Sequence, residues 1–338
     1  VVLEKGSALG GTTAMSVGTV AASATRLQRE NGINDHPDAH FEDMGLFKPE
    51  WANRDHLGFR RLLVDHAPHT IALLEEMGVV FMGPLPEPPH RVPRLHAIIP
   101  HSRGFIDHIT RACRAMGVEL KTGQRVLSLR QDQDRVCGVV VETSKGVTET
   151  ILARRGVIIA TGDFSAANSA YKRKYMSGPL LEIGGINPLS TGDGQVMGEA
   201  VGGEVLNGDL AWGPELRFIA PAVPSIISRL PTWPWLAQTL LRAIRIVPDM
   251  IMRPFLMGFV TTFLAPSPNL FRKGAILVNK QGARFCNERD RPQDHLGRQE
   301  PDHGYIVFGA EIATLFGSWP NYISTAPGVG YAYLKDYE

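Results

Sequence analysis

The chain has 338 residues, enough for two or three hydrophobic cores at roughly 100–200 residues per domain. Its 35 basic and 34 acidic residues leave a formal net charge of +1, so no overall field draws it to nucleic acid or to an acidic partner. Three widely spaced cysteines (Cys113, Cys137 and Cys286) give neither a disulfide framework nor a zinc-ligand spacing, and they read as buried thiols in a reducing cytoplasm.

The first stretch, VVLEKGSALGGTTAMSVG, organises the rest. Val1, Val2 and Leu3 read as the end of a buried strand that closes on Glu4. A carboxylate closing a strand of an open α/β sheet accepts hydrogen bonds from a nucleotide ribose. The loop after it carries Gly10, Gly11, Thr12, Thr13, Ser16, Val17 and Gly18. A loop poor in side chains lets backbone N–H groups approach a pyrophosphate or a flat ring. Residues 19–56 are polar and mixed, and read as a helix leaving this loop, then an irregular excursion. There His36 and His40 suit a solvated helix face better than a metal site. Residues 57–77 carry apolar residues at three-four spacing, which predicts an amphipathic helix ending at Gly78. The run 84–100, PLPEPPHRVPRLHAIIP, reads as an irregular cleft-lining loop, because each proline lacks an N–H and constrains its neighbour.

Residues 104–116 predict a second helix. Leu120 leads into a strand, 126–129 form another, and VCGVVVET after a turn at 131–135 pairs with a strand near 147–153. Residues 156–160 read as a buried parallel strand. Thr161 and Gly162 end it at the carboxyl edge, where open α/β sheets hold ligands. TGDG at 191–194 opens a helix, with Asp193 as its N-cap and its N-terminus as an anion-binding position.

The least polar region is 219–271. Within it WLAQTLLRAIRIV (235–247) predicts a helix with Leu236, Leu240 and Ile244 on one side and Arg242 and Arg245 off it. Arg229, Arg242, Arg245, Asp249 and Arg253 interrupt any apolar run of the about 20 residues needed to cross a bilayer. The charge-free stretch 254–271 holds Pro254, Pro266 and Pro268, against a spanning helix. Three readings stay open here: a packing element, a greasy substrate pocket, or an interfacial helix resting on a membrane. From Gly274, GAILVNKQGARFCNE predicts strand, turn and strand, with Asn287 and Glu288 after it. A short strand follows at 305–308, and the tail from Asn321 reads as loop and then the start of a helix.

LEK, then GGTT and S-x-G, resembles the second-strand and flavin-loop segment of the succinate dehydrogenase/fumarate reductase flavoprotein superfamily, which includes the 3-ketosteroid dehydrogenases. The resemblance recurs in order at Val126, at IIATGDFS from Ile158, at TGDG from Thr191 and at GAILVNKQGARFCNE. It implies FAD as cofactor, while the histidine and cysteine spacings above give no metal site. Glu4 would hold ribose, the loop from Gly10 to Gly18 pyrophosphate and flavin, and Val126 adenine through its backbone. Thr161, Gly162 and Asp193 would complete the surround. The fold implied is α/β: a partial Rossmann-like FAD-binding domain (1–56 and 104–210) with an antiparallel β-meander insertion. Residues 57–103 would be a helix and cleft loop, and 211–338 a second, α+β cap or substrate domain. The family's first strand with its G-x-G-x-x-G turn, and its C-terminal return to the cofactor domain, have no counterpart here. The chain therefore reads as truncated at both ends, a fragment or one part of a split protein, with a complete minimal relative as the alternative.

In the fumarate-reductase branch a histidine after the TGDG helix and an arginine after the Asn-Glu pair bind a dicarboxylate, and that arginine delivers a proton. Here the histidine position falls on Gly213 and the arginine position on Pro292, with Arg291 one place early and Arg289 close by. The tyrosine of the ketosteroid branch is missing at that place too. The polar candidates for catalysis are Arg291, Arg289, His96 and Arg103. The expected activity is FAD-dependent oxidation or reduction of a CH–CH bond next to an electron-withdrawing group, on an apolar or ketosteroid-like small molecule, with an unidentified electron donor or acceptor. Two alternatives stand beside it: a fumarate reductase-like enzyme on a small dicarboxylate, and a non-catalytic fragment that cannot hold FAD alone. A peripheral membrane contact through 235–247 is the remaining expected partner.

Overall fold

The computed structural model describes residues 1–211, 215–219, 229–246, 265–300, 303–318, 321–322, 324–326 and 330–332. In chain order they begin with β1 (Val2–Leu3), α1 (Gly11–Met15), β2 (Thr19–Ala21), α2 (Arg26–Glu30), α3 (Pro37–Met44) and α4 (Leu57–Glu76). β3 (Val80–Leu85), β4 (Leu95–Ile99), α5 (Arg103–Ala115) and β5 (Leu120–Lys121) follow. Next come β6 (Gln124–Asp132), β7 (Arg135–Thr143), β8 (Thr148–Leu152), α6 (Ser169–Lys172), α7 (Asp193–Ala200) and α8 (Pro234–Ile246). Short strands and short helices, among them helices at Pro268–Arg272, Gln293–Leu296 and Ala310–Phe316, make up most of the described remainder.

The chain divides into two compact units. The first comprises Val1–Met15, Thr110–Pro214 and Val278–Tyr305; the second comprises Ser16–Ile109, Glu215–Leu277 and Ile306–Glu338. In the first unit β1 runs parallel to β5, and β6, β7 and β8 form an antiparallel meander in sequence order. A register shift between Val126 and Ser128 bulges β6 beside Val126. In the second unit β4 lies between β2 and β3, both antiparallel to it. Its core packs Ala22, Leu27, Ala67, Ile71, Val79, Phe81, Ile98 and Phe105 together. The buried side of α4 is the Val64, Ala67 and Ile71 stripe, the three-four spacing read from sequence.

Several expectations are corrected. Residues 156–160 form no strand, and Ile158 is 93% exposed. A strand exists only where a neighbour completes its ladder, and among the described residues no strand pairs with this segment. The proline-rich run does contain regular structure, since Pro86, Pro88, Pro89 and Pro93 precede β4 and Pro100 follows it, none of them interrupting it. Pro84 sits in β3 at a register irregularity, where a missing N–H is tolerated. Beyond Gly18 the chain enters strand β2, not a helix. His40 is buried, not solvated, and His36 caps α3 by accepting the Asp38 N–H at 3.3 Å. The tail holds short strands at Asn321–Tyr322, Ser324–Ala326 and Gly330–Ala332. Gly213, Asp249, Arg253, most of 254–271 and residues 333–338 lie outside the described residues.

The second unit is built around a buried cation. The Arg94 guanidinium, fully buried, binds Asp35 through two bonds of 2.7 Å, binds Asp43, and donates to His90 Nδ1 at 3.0 Å. Asp43 also accepts the Arg91 backbone N–H at 3.0 Å and its Nε at 2.7 Å. Burial alone would raise the Asp43 carboxyl, but these donors hold it down to about 2. Next to this knot His40 meets His90 edge-on at 5.3 Å. Burial, with the Arg94 and His90 neighbours adding to it and Asp35 and Asp43 opposing, pushes His40 down to about 4 from its usual 6.5.

Two outcomes are expected. Replacing Arg94 by Met strands two buried carboxylates and lowers the unfolding free energy by about 3–5 kcal/mol, read by urea denaturation. His40 is neutral when folded, so the unfolded chain binds its proton first as pH falls. The stability tied to it is complete above pH 6.5 and is lost between there and about pH 4. His90, His96 and His101, also pushed down chiefly by burial, add in the same direction. The urea midpoint therefore drops across this window, and His40→Phe, which keeps an aromatic ring without a titrating group, makes the drop shallower.

Candidate functional site

The residues singled out in the first unit converge by way of one lysine. Lys5, directly after Glu4, donates through Nζ to Thr191 Oγ1 at 2.5 Å and to Asp193 Oδ2 at 3.0 Å. The Thr191 hydroxyl in turn donates to Asp193 Oδ1 at 2.8 Å. Arg125 Nε stands 4.0 Å from the same carboxylate. Burial would raise the Asp193 carboxyl, but Lys5, Thr191 and Arg125 together hold it below the usual carboxylate range. Asp193 is therefore not the N-cap of α7, as expected. Gly192 takes that place with no side-chain bond to the helix, and Asp193 spends both oxygens on Thr191 and Lys5.

Glu4 is half-buried and anchored through its backbone, its N–H to the Lys121 carbonyl at 2.9 Å and its carbonyl to Gln124 N–H at 2.9 Å. Its Oε1 accepts the Gly6 N–H at 2.6 Å, which turns the carboxylate back over the loop. The loop then enters α1 through Gly10 and Gly11, both at positive φ (129° and 46°), a turn that a Cβ disfavours. Gly11, Thr12 and Thr13 are exposed at the first turn of α1. Gly11 and Thr12 N–H groups have no carbonyl one turn back within that helix. Asn187 Nδ2 donates to Thr12 Oγ1 at 3.0 Å, and Ser190 Oγ lies 3.5 Å from the same hydroxyl, tying this loop to 187–193.

Thr161 and Gly162 line a cavity of about 250 Å³ with Ile159, Gly194, Gln195 and Glu199. A Cβ on Gly194 would overlap Thr161 Oγ1, so only glycine lets α7 approach the 159–162 segment this closely. Gln195 Nε2 donates to the Gly162 carbonyl at 2.8 Å. Glu199 is engaged by Tyr171, Tyr175 and Lys174. The cavity is below the roughly 300–1,000 Å³ of sites that enclose a whole small molecule. Val126 is half-buried in the meander, paired with Val141 beside the β6 bulge.

The other candidates are placed differently. Ser16, Val17 and Gly18 belong to the second unit, where the Gly18 carbonyl accepts the Ile98 N–H at 3.0 Å and Ser16 Oγ accepts the Gly18 N–H at 3.2 Å. Gly18 lies at φ 80°, and a Cβ there would come within 2.5 Å of Ile98 Cγ2, so its glycine serves packing on β4. His96 is fully buried with both ring nitrogens in use: Nδ1–H donates to the Arg94 carbonyl at 2.7 Å, and Nε2 accepts from Thr25 Oγ1 at 2.8 Å. It is a core histidine kept neutral by burial, not an accessible acid or base. Arg103 is exposed at the first turn of α5 in that same unit. Arg289 and Arg291 belong to the first unit. Arg291 has an unusual φ of 45° and holds Asp294 with bonds of 2.6 and 3.1 Å. Their segment is fastened to its unit by Arg298 Nε on Glu182 at 2.7 Å.

Lys5, Thr191, Asn187, Ser190 and Gln195 were not singled out by the sequence. Lys5 carries a weak signal, a cation beside the strand-closing acid, but its partner lies 188 positions away. Carboxylate, glycine turn, hydroxyls and nearby cations make a donor set suited to the ribose and phosphates of a nucleotide. Among the described residues no cluster of three or more His, Cys, Asp or Glu could hold a metal ion.

Comparison with known proteins bears on this set. The family model described as FAD binding domain matches residues 1–223. The chain is 26% identical over 321 residues to an NADH:fumarate oxidoreductase of Klebsiella pneumoniae, covering 92% of this chain and 29% of that protein. The open conformation of a flavocytochrome c3 fumarate reductase superposes with a TM-score of 0.64 at 21% identity, over 93% of this chain and 49% of that one. A 3-ketosteroid-Δ4-(5α)-dehydrogenase from Rhodococcus jostii RHA1, in complex with 4-androstene-3,17-dione, gives 0.56 at 19% identity, over 93% and 62%. The chain spans about half or less of the length of the curated relatives it matches. With more than half its residues under the family model, the chain belongs to the FAD binding domain family, within the fumarate reductase/succinate dehydrogenase flavoprotein superfamily.

Proposed function

We propose that this chain holds FAD through the surface around Lys5 and Asp193 and takes part in oxidation or reduction of a CH–CH bond next to an electron-withdrawing group. The observation that supports this most is the Lys5 bridge to Thr191 and Asp193, which draws the Glu4 loop and the TGDG turn together across the first unit. When bound, FAD supplies the hydride chemistry, and the protein supplies orientation and charge. The Glu4 carboxylate would accept the ribose hydroxyls, and the N–H groups of Gly11 and Thr12 would face the pyrophosphate. Lys5 and Arg125 offset its charge, and Thr161, Gly162 and Val126 bound the remaining surface. Thr13 extends the same first turn of α1, while Ser16, Val17 and Gly18 of the expected loop belong to the second unit and stay outside the proposed site. The domain roles are part of this proposal, with the cofactor domain at 1–56 and 104–210 and a cap at 211–338. A cytoplasmic location rests on three free thiols, one of which, Cys286, burial pushes up to about 11.

For substrate we infer an apolar or ketosteroid-like molecule, because 219–271 holds only one acidic residue, Asp249, and is the least polar part of the sequence. A dicarboxylate is the second reading, favoured by Arg291, a cation next to the position where the resemblance expects the dicarboxylate-binding arginine, whose remaining donors lie beyond its two bonds to Asp294.

Purified chain incubated with FAD and then freed of unbound cofactor by gel filtration should retain an absorbance band at about 450 nm. Glu4→Gln, which keeps an oxygen for the Gly6 N–H but removes the charge, should weaken binding about tenfold with little change in melting temperature. A chain that takes up no FAD favours the fragment reading. For the substrate, loaded protein is assayed with fumarate and with 4-androstene-3,17-dione using artificial electron carriers. Turnover of the steroid alone, unchanged in Arg291→Ala, supports the first reading. Turnover of fumarate that falls about 100-fold in Arg291→Ala supports the second.

A further inference from the structure

We propose that the start and outer face of α8 form a docking surface for an anionic membrane. The lead-in to this helix is fixed from inside the second unit. His101 Nε2 donates to the Leu230 carbonyl at 3.0 Å, His108 Nε2 to the Thr232 carbonyl at 2.9 Å, and Thr232 Oγ1 to Asp107 at 2.6 Å. Ala237 is buried, and Leu236, Leu240 and Ile244 are half-buried, so the apolar side named from sequence faces the unit rather than solvent.

What faces outward is a different set. Trp233 and Trp235 are 50% and 61% exposed, with their rings stacked 5.6 Å apart, and Ile246 is 81% exposed. Trp235, Thr239, Arg242 and Ile246 follow at intervals of four, three and four residues, one stripe about 16 Å long at 1.5 Å per residue. Two stacked, exposed indoles at one end and an isoleucine at the other suit the headgroup layer, where aromatic rings with an apolar body and a polar N–H settle.

Charge selects the partner. Residues 229–246 contain Arg229, Arg242 and Arg245 and no acidic residue, in a chain whose overall charge is near zero. A local cationic stretch beside exposed tryptophans complements a lipid surface of negative charge, and each arginine near such a surface strengthens partitioning by about fivefold. Among the described residues no helix is long and apolar enough to cross a membrane, so the contact is one of lying on the surface. This proposal stands apart from the cofactor reading, since it involves none of those residues.

The test is co-sedimentation of the full chain with sucrose-loaded vesicles, of phosphatidylcholine alone and with 30% phosphatidylserine by mixing, with tryptophan emission followed in parallel. Pelleting with the anionic vesicles only, reduced by raised salt, with a blue-shifted emission, is the expected result. Arg242→Glu should cut partitioning about tenfold or more, and the double variant Trp233→Ser with Trp235→Ser should remove the blue shift. All three positions are exposed, and an unchanged far-UV spectrum checks the fold. Absence of pelleting with anionic vesicles, or pelleting that neither variant alters, overturns the proposal; so does equal pelleting with phosphatidylcholine alone.

Discussion

An ammonium group shared between a hydroxyl and a carboxylate holds the candidate site together. Lys5 is half-buried, as is Asp193, so the attraction is screened less than on an open surface and its geometry is fixed by Thr191 between them. The bridge joins the loop after β1 to the turn before α7, 188 residues further on. Asn187 on Thr12 and the Gly194 contact with Thr161 follow the same seam. One charged link and a few short polar ones thus gather segments that no local preference would bring together.

The second unit uses charge in the opposite way. Arg94, Asp35 and Asp43 are withdrawn from water, with Gln28 donating to Asp35 at 2.8 Å and Arg91 capping Asp43. Desolvating three charges is costly, and the arrangement holds because nearly every polar atom in it has a partner. His96 and His101 sit in the same unit as neutral rings bonded to backbone carbonyls. His96, His101 and His108 use ring nitrogens to satisfy backbone carbonyls, which is why His96 makes a poor acid or base despite standing in a motif-like stretch.

The two substrate readings differ in what they ask of the protein. An apolar ring system needs an uncharged wall and little else, whereas a dicarboxylate needs cations held at fixed positions before it arrives. Arg291 meets part of the second demand through its hold on Asp294, although that carboxylate also occupies the guanidinium edge that a substrate would use. A ligand would have to displace Asp294 or approach the remaining donors.

The helices α4, α5 and α8 and the β6–β7–β8 meander were legible in the sequence, because three-four and alternating apolar spacing are local properties that the described elements then repeat. The cofactor family was legible as well, from glycines, a strand-closing acid and a TGDG turn whose chemistry is carried by single residues in order along the chain. Tertiary structure alone decided the rest. Residues 156–160 are as apolar as a buried strand, yet they form none, since a ladder is made by its neighbours and not by its own composition. Asp193 looks like a cap and serves instead as the partner of Lys5, and the side of α8 left outside carries tryptophans rather than the leucine stripe. In each case the outcome depends on which distant group arrives alongside, and that is fixed only when the chain is folded.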